Sequence, residues 1–228
     1  MPIAPEVFLK DVERFSMVIL RDEGVYRHLR VSLHPTLCAL GDFDLITWPG
    51  HLCFSGDRGT FVFARVSDMF EFFRAKDKSA ANLFAHLPLD YWASKLQAVD
   101  KSDGATEFDA HAYRREITNY RRRLFLDVGP DLDKQQRADL WESFEAVLDA
   151  SNEGEYAAVA AAHDWRFYAK PLGGRSLSLD TADFGPFKRH TDRFLWCCYA
   201  VRWAIQQYDC ARQPAEDTVA PRLPILAL

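Results

Sequence analysis

Apolar and polar residues follow a period of two and then switch period most clearly in FDLITWPGHLCFSGDRGTFVFARVSDMFEFFR, between Phe43 and Arg74. From Phe43 to Trp48 large apolar residues occupy both alternating sets, which predicts a strand covered on both sides. Trp48-Pro49-Gly50 stops it, because proline lacks an amide donor and glycine accepts turn conformations. Leu52 and Phe54 then share one face and Cys53 and Ser55 the other, and Gly56-Asp57-Arg58-Gly59 supplies a hairpin loop before the return strand from Thr60 to Arg65. Ser67 is placed to cap a helix and Asp68 to favour its positive end. Met69, Phe70, Phe72 and Phe73 make that helix apolar enough to pack onto the sheet.

Upstream, Pro5 to Phe15 predicts a helix with Val7, Phe8, Val12 and Phe15 near one face, and Ser16 to Leu20 extends it or begins a strand. Tyr26 to Leu33 alternates, with Leu29, Val31 and Leu33 in one row and Tyr26, His28, Arg30 and Ser32 in the other. His34 to Asp42 reads as a loop. Beyond Arg74 the period becomes helical. Tyr91, Trp92, Leu96 and Val99 share helical spacing; Asp109 caps a helix to about Leu126; Gly129-Pro130 breaks the chain; Asp131 or Asp133 starts another helix to Ala150. Glu153 to His163 follows as an alanine-rich helix, and Pro171 to Pro186 as a long irregular connection. The final helix, Arg189 to Tyr208, carries Phe194, Cys197, Cys198, Val201, Ile205 and Tyr208 on one face and Trp196, Tyr199 and Trp203 on the next, so it needs neighbours on more than one side. Arg193 and Arg202 are expected at its polar edge.

These elements predict an α+β protein: a small antiparallel sheet of three or four strands with flanking helices in the N-terminal third, then a mainly helical part with a long buried C-terminal helix. The expected organisation is one domain over residues 1–210, with a sheet-containing part at 1–76, a helical part at 77–210, and an extended proline-rich tail at 211–228.

Composition fits that picture. In 228 residues, 48% hydrophobic and 14% aromatic, there is enough apolar surface for a sizeable core, which excludes a disordered or fibrous chain. The net charge of −5 is too small to name a partner. No apolar run approaches a membrane span, and no basic-then-apolar leader opens the chain, so a cytoplasmic protein without a membrane role is expected. The 5 cysteines, at 38, 53, 197, 198 and 210, form no paired framework and are expected to be reduced packing residues.

Candidate chemistry is sparse. A polar cluster of Tyr26, His28 and Arg30 with His51, Cys53, Asp57 and Arg58 could support a cysteine nucleophile with a histidine base. Against it, a histidine after Pro-Gly commonly bonds its own backbone, and aspartate at a loop tip suits turn geometry alone. No third orienting residue follows from spacing. Metal ligation lacks both an i, i+4 histidine pair and Cys-x-x-Cys, and no cofactor motif is present. The sharpest charge cluster is YRREITNYRRR, where Arg114, Arg115, Arg121, Arg122 and Arg123 could meet nucleic acid or form a solvated, salt-bridged face.

The strings FDLITWPGHLC, GDRGTFVFARVSDMFEFFR and FLWCCYAVRWAIQQYD resemble a widespread family of uncharacterised proteins encoded in bacteriophages and prophages. The similarity runs from about Asp11 to Asp209, with Arg58 standing where a hydrophobic residue is expected. The family has no established activity, so the resemblance implies a setting rather than a site: an accessory product in the cytoplasm of an infected bacterium. Together with the absence of recognisable catalytic spacing, it leads to the expectation of a non-enzymatic protein that binds a host or defence complex, of the anti-CRISPR kind in broad type. Contact would run through the Arg114 to Arg123 helix or the Gly56 to Gly59 loop with Asp57 and Arg58. Nucleic-acid binding through that helix and catalysis at His51 and Cys53 are the alternatives, and a homodimer is favoured because symmetric dimers are the commonest assembly.

Overall fold

The computed structural model describes residues 3–33, 40–75, 83–100, 104–169, 176–179 and 184–212. Cys38, most of the loop expected at His34 to Asp42, parts of the Pro171 to Pro186 connection and the tail beyond residue 212 lie outside the described residues. The described chain divides into two compact units: one from the N-terminus to Ala105 together with the chain from His190 onward, the other Thr106–Arg189.

The first unit is built on a six-stranded antiparallel sheet in sequential order. Helix α1 (Pro5–Val12) leads into β1 (Ser16–Glu23), β2 (Tyr26–Ser32), β3 (Phe43–Trp48), β4 (His51–Gly56) and β5 (Gly59–Ala64). The hairpin registers as its turn residues require, with Gly56 opposite Gly59 and Phe54 opposite Phe61. Short helices α2 (Met69–Phe73) and α3 (Leu89–Ala93) follow, and β6 (Leu96–Val99) returns to pair with β5.

The sixth strand corrects the helix expected through Val99. Four residues at an ambiguous spacing took a strand because the free edge of β5 offered a ladder of hydrogen bonds, which Ala64 N extends to the Lys95 carbonyl at 2.9 Å. The sheet is therefore larger than three or four strands, and the boundary expected at residue 76 falls inside this unit. Asp68 rather than Ser67 caps α2, accepting from Phe70 N at 2.9 Å.

Long helix α8 (Asp192–Arg212) covers the inner sheet face. It starts at Thr191, whose hydroxyl accepts from Phe194 N at 3.2 Å. Phe194 meets Phe61 edge-on at 5.5 Å, Trp196 meets Phe43 at 5.8 Å, and Phe8 of α1 meets Trp196 at 5.2 Å. Cys197 and Cys198 are buried in this packing. Arg202 is not at a polar edge but 9% exposed.

The sheet is not covered on both sides. Leu45, Leu52, Phe54, Phe61 and Phe63 are buried on the inner face, whereas Ile46, Cys53 and Val62 on the outer face are only half-buried and Trp48 is exposed.

The second unit packs α4 (Ala110–Val128), α5 (Lys134–Glu142), α6 (Glu145–Asp149) and α7 (Glu155–Asp164) around Tyr113, Ile117, Leu140, Phe144 and Trp165. Asp109 caps α4 by accepting from Ala112 N at 2.8 Å, and Asp133 with Gln136 forms a reciprocal capping box on α5. Two short ladders follow: β7 (Thr106–Phe108) with β10 (Lys188–His190), whose last residue is the first of the returning chain of the other unit, and β8 (Arg166–Tyr168) with β9 (Ser176–Ser178), the latter a strand inside the connection expected to be irregular.

Candidate functional site

On β4 the alternation places His51, Cys53 and Ser55 together on the outer sheet face. Antiparallel register sets Trp48 opposite His51, and their rings stack at 5.0 Å with planes 9° apart. His51 donates through Nδ1 to the Pro49 carbonyl at 3.1 Å, so its orientation is set by the turn. Cys53 lies two residues on, about 7 Å along the strand, beyond hydrogen-bond reach of a residue held in that way. Burial and then the nearby Asp44 carboxylate push the Cys53 thiol up, away from the thiolate a nucleophile needs.

The other members of the polar cluster have separate engagements. His28 Nε2 and Arg30 converge on Asp44, at 2.8 and 3.6 Å, and Ile46 stands between His28 and Cys53 in the cross-strand row. Asp57 serves the loop, its Oδ2 accepting from Gly41 N at 3.3 Å. Arg58 turns to Asp11 at 3.7 Å and lies over the Trp196 ring at 5.3 Å, while its carbonyl accepts from the Cys197 thiol at 3.9 Å. Thus sequence proximity brought His51 and Cys53 to one face, but the cross-strand partners dispersed the set rather than converging it. Among the described residues no three His, Cys, Asp or Glu side chains gather as metal ligands would.

Helix α4 splits its arginines by azimuth. Arg114 donates to the Leu148 carbonyl at 3.0 Å and to Ser151 Oγ at 3.2 Å. Arg121 is buried, donating to Glu145 at 2.6 Å and lying 4.0 Å from the Trp141 ring centroid. These two turn toward the neighbouring helices, Arg121 buried and Arg114 half-buried, and both are ion-paired, so the arginines of the cluster do not form one surface. Five arginines within two and a half turns cannot share a helix face, and the side facing α5 and α6 took two of them.

What remains outside is a stripe of Arg115, Arg122 and Leu126, with Leu126 77% exposed. Beside it Glu116, Tyr120, Arg123, Leu124 and Asp127, with Phe184, line an open groove of about 680 Å3. Its charges are of both signs.

Sequence reasoning missed two features. The Trp48–His51 platform was signalled only by the turn between them. The buried Arg202 was signalled by a cation inside the apolar run LWCCYAVRWAI, since arginine is rarely buried unless paired. No family model, curated protein or solved structure matches this chain. No helix of the described residues is long and apolar enough to cross a membrane.

Proposed function

We propose that this protein acts by binding another protein, and that the outward face of α4 makes the contact. The observation that carries the reading is the two-signed groove of Glu116, Tyr120, Arg123, Leu124, Asp127 and Phe184 beside exposed Arg115, Arg122 and Leu126. Phosphates would be repelled by Glu116 and Asp127, whereas a protein surface can answer each charge and cover Leu126 and Tyr120. Arginine and tyrosine on one rigid helix are residue types that concentrate binding energy in protein interfaces.

The resemblance to phage-encoded proteins supplies the setting for this reading: the cytoplasm of an infected bacterium, with a host or defence component as the partner and inhibition by occupancy, of anti-CRISPR type, as the outcome. The engaged imidazole of His51 and the raised thiol of Cys53 support binding over catalysis.

The test is affinity capture from host lysate with the wild-type chain and with Arg122→Glu/Leu126→Asp, both first checked for equal thermal stability. A stoichiometric protein retained by the wild type and lost by the variant is expected. Retention by both would overturn the contact surface. Nucleic acid is the second reading because Arg115, Arg122 and Arg123 all remain exposed. Anisotropy titration with duplex and single-stranded DNA and RNA at low salt decides it, since phosphate contacts would give tight, salt-sensitive binding.

A further inference from the structure

We propose that a cavity beside α8 in the first compact unit binds a small organic monocarboxylate, with Arg202 receiving the carboxylate. The partly open cavity has a volume of about 180 Å3, with Ala75, Leu83 and Ile205 on its apolar wall and Arg74, Arg202, Gln206 and Asp209 among its polar lining.

Arg202 differs from the other arginines whose Nε is buried. In Arg27, Arg58, Arg121 and Arg202 the Nε is buried without a hydrogen-bond partner. The first three compensate with an ion pair, to Asp68, Asp11 and Glu145 respectively. Among the described residues Arg202 has no such carboxylate. Among the described residues its Nη1 donates to the Leu83 carbonyl at 3.4 Å, and its guanidinium lies 5.1 Å from the Trp92 ring centroid. A buried charge without a counter-ion is costly unless something supplies one. Burial draws its pKa below the usual arginine value, as expected of a desolvated cation short of an anion.

Charge and shape then select the ligand class. Arg74 is already matched by Asp209 through two hydrogen bonds at 2.7 and 2.8 Å, which leaves Arg202, among the described lining residues, as the one positive charge without a carboxylate. A monoanion balances it; a phosphate dianion does not. The apolar wall accepts hydrocarbon, and a cavity of about 150 Å3 can hold a benzene-sized molecule. One carboxylate on a single ring or a short aliphatic chain therefore fits both the volume and the charge.

The test uses the full chain with benzoate as probe, benzamide as its uncharged counterpart and inorganic phosphate as competitor, read by methyl NMR at Leu83 and Ile205. Benzoate should give saturable shifts, benzamide should bind at least about tenfold more weakly, and phosphate should not displace benzoate. Arg202→Gln should weaken benzoate about tenfold and leave benzamide unchanged. Absence of saturable shifts up to about 10 mM benzoate, equal binding of benzamide, or displacement by phosphate would each overturn the proposal. If Arg202→Gln does not fold, the benzoate and benzamide comparison on the wild type decides alone. Arg122→Glu/Leu126→Asp should bind benzoate as the wild type does, which separates this site from the α4 surface.

Discussion

Arg74 and Asp209 face each other fork to fork, with Arg74 Nε 2.7 Å from Asp209 Oδ2 and Nη2 2.8 Å from Oδ1, across 135 positions of sequence. The pair ties the end of α2 to α8 and is partly screened from water, where a bidentate ion pair is stronger than a single surface contact. Asp209→Asn should lower stability by about 1–2 kcal/mol, seen as a reduced urea midpoint at unchanged m-value. An unchanged midpoint would make the pair incidental.

Asp68 ties α2 to β2, capping α2 while accepting two hydrogen bonds from Arg27 at 2.8 and 2.9 Å. Burial alone would raise its carboxyl, but the hydrogen bonds from Arg27 and Phe70 N and the charges of Arg27 and Arg74 outweigh it and hold the pKa below the usual 3.8. A lowered folded-state value means the contribution is present above the unfolded pKa and is lost as pH falls through the folded one. Asp68→Asn should thus be less stable than wild type at neutral pH, and the difference should shrink below about pH 4. Acid titrations of the two proteins by circular dichroism check it.

At the alkaline end one sensitive group is Tyr113. Its hydroxyl lies 2.8 Å from the Ala158 carbonyl and 3.2 Å from that of Val147, and burial pushes its pKa up to about 12. A raised value in the folded state means its contribution holds below the unfolded pKa of about 10 and is lost as pH climbs towards 12. Tyr113→Phe should cost about 1–2 kcal/mol at neutral pH by leaving buried carbonyls short of a donor, and should soften the alkaline loss of stability. Ultraviolet tyrosinate titration alongside unfolding curves reads both.

Cysteine reactivity should rank by burial. Cys210 is exposed, Cys53 is half-buried with a raised thiol, and Cys197 and Cys198 are buried with thiols raised well above the usual range. Among the four cysteines of the described residues, iodoacetamide labelling followed by mass spectrometry should modify Cys210 first, Cys53 far more slowly, and Cys197 and Cys198 only on unfolding. Fast labelling of Cys53 would reopen catalysis on the outer sheet face.

Gly56 shows how a turn residue can be required for packing rather than conformation. A Cβ there would press on the Asp42 carbonyl and sit 2.8 Å from Phe43 Cα and 2.7 Å from its Cβ. Gly56→Ala should cost about 3 kcal/mol or more by forcing β3 and β4 apart, a loss measurable by thermal unfolding.

The chain announced its local structure because local structure is written in short-range terms. Turn residues at Gly56 and Gly59, period-two alternation in Leu52 and Phe54, the side-chain cap at Asp109, and the apolar sweep of Phe194 to Tyr208 each act within a few residues, and each forms as expected, while of the two starts open for the next helix Asp133 took the cap and the helix expected to reach Ala150 ends at Glu142. Where two local outcomes were close in energy, the neighbours decided. Leu96 to Val99 became a strand because β5 had a free edge, and Asp68 took the cap from Ser67 while also meeting Arg27.

Function-bearing geometry lay further from reach. Arginine content on α4 was plain in the letters, yet whether Arg121 or Arg122 faces water depends on Trp141 and Glu145 arriving from two other helices. The composition of α8 settled that it would be buried, and only packing determined that Arg202 would be buried with it and left without a carboxylate among the described residues. Periodicity and capping reflect energies within one element, whereas the pairing of a charge is settled by whichever distant side chain the fold delivers to it.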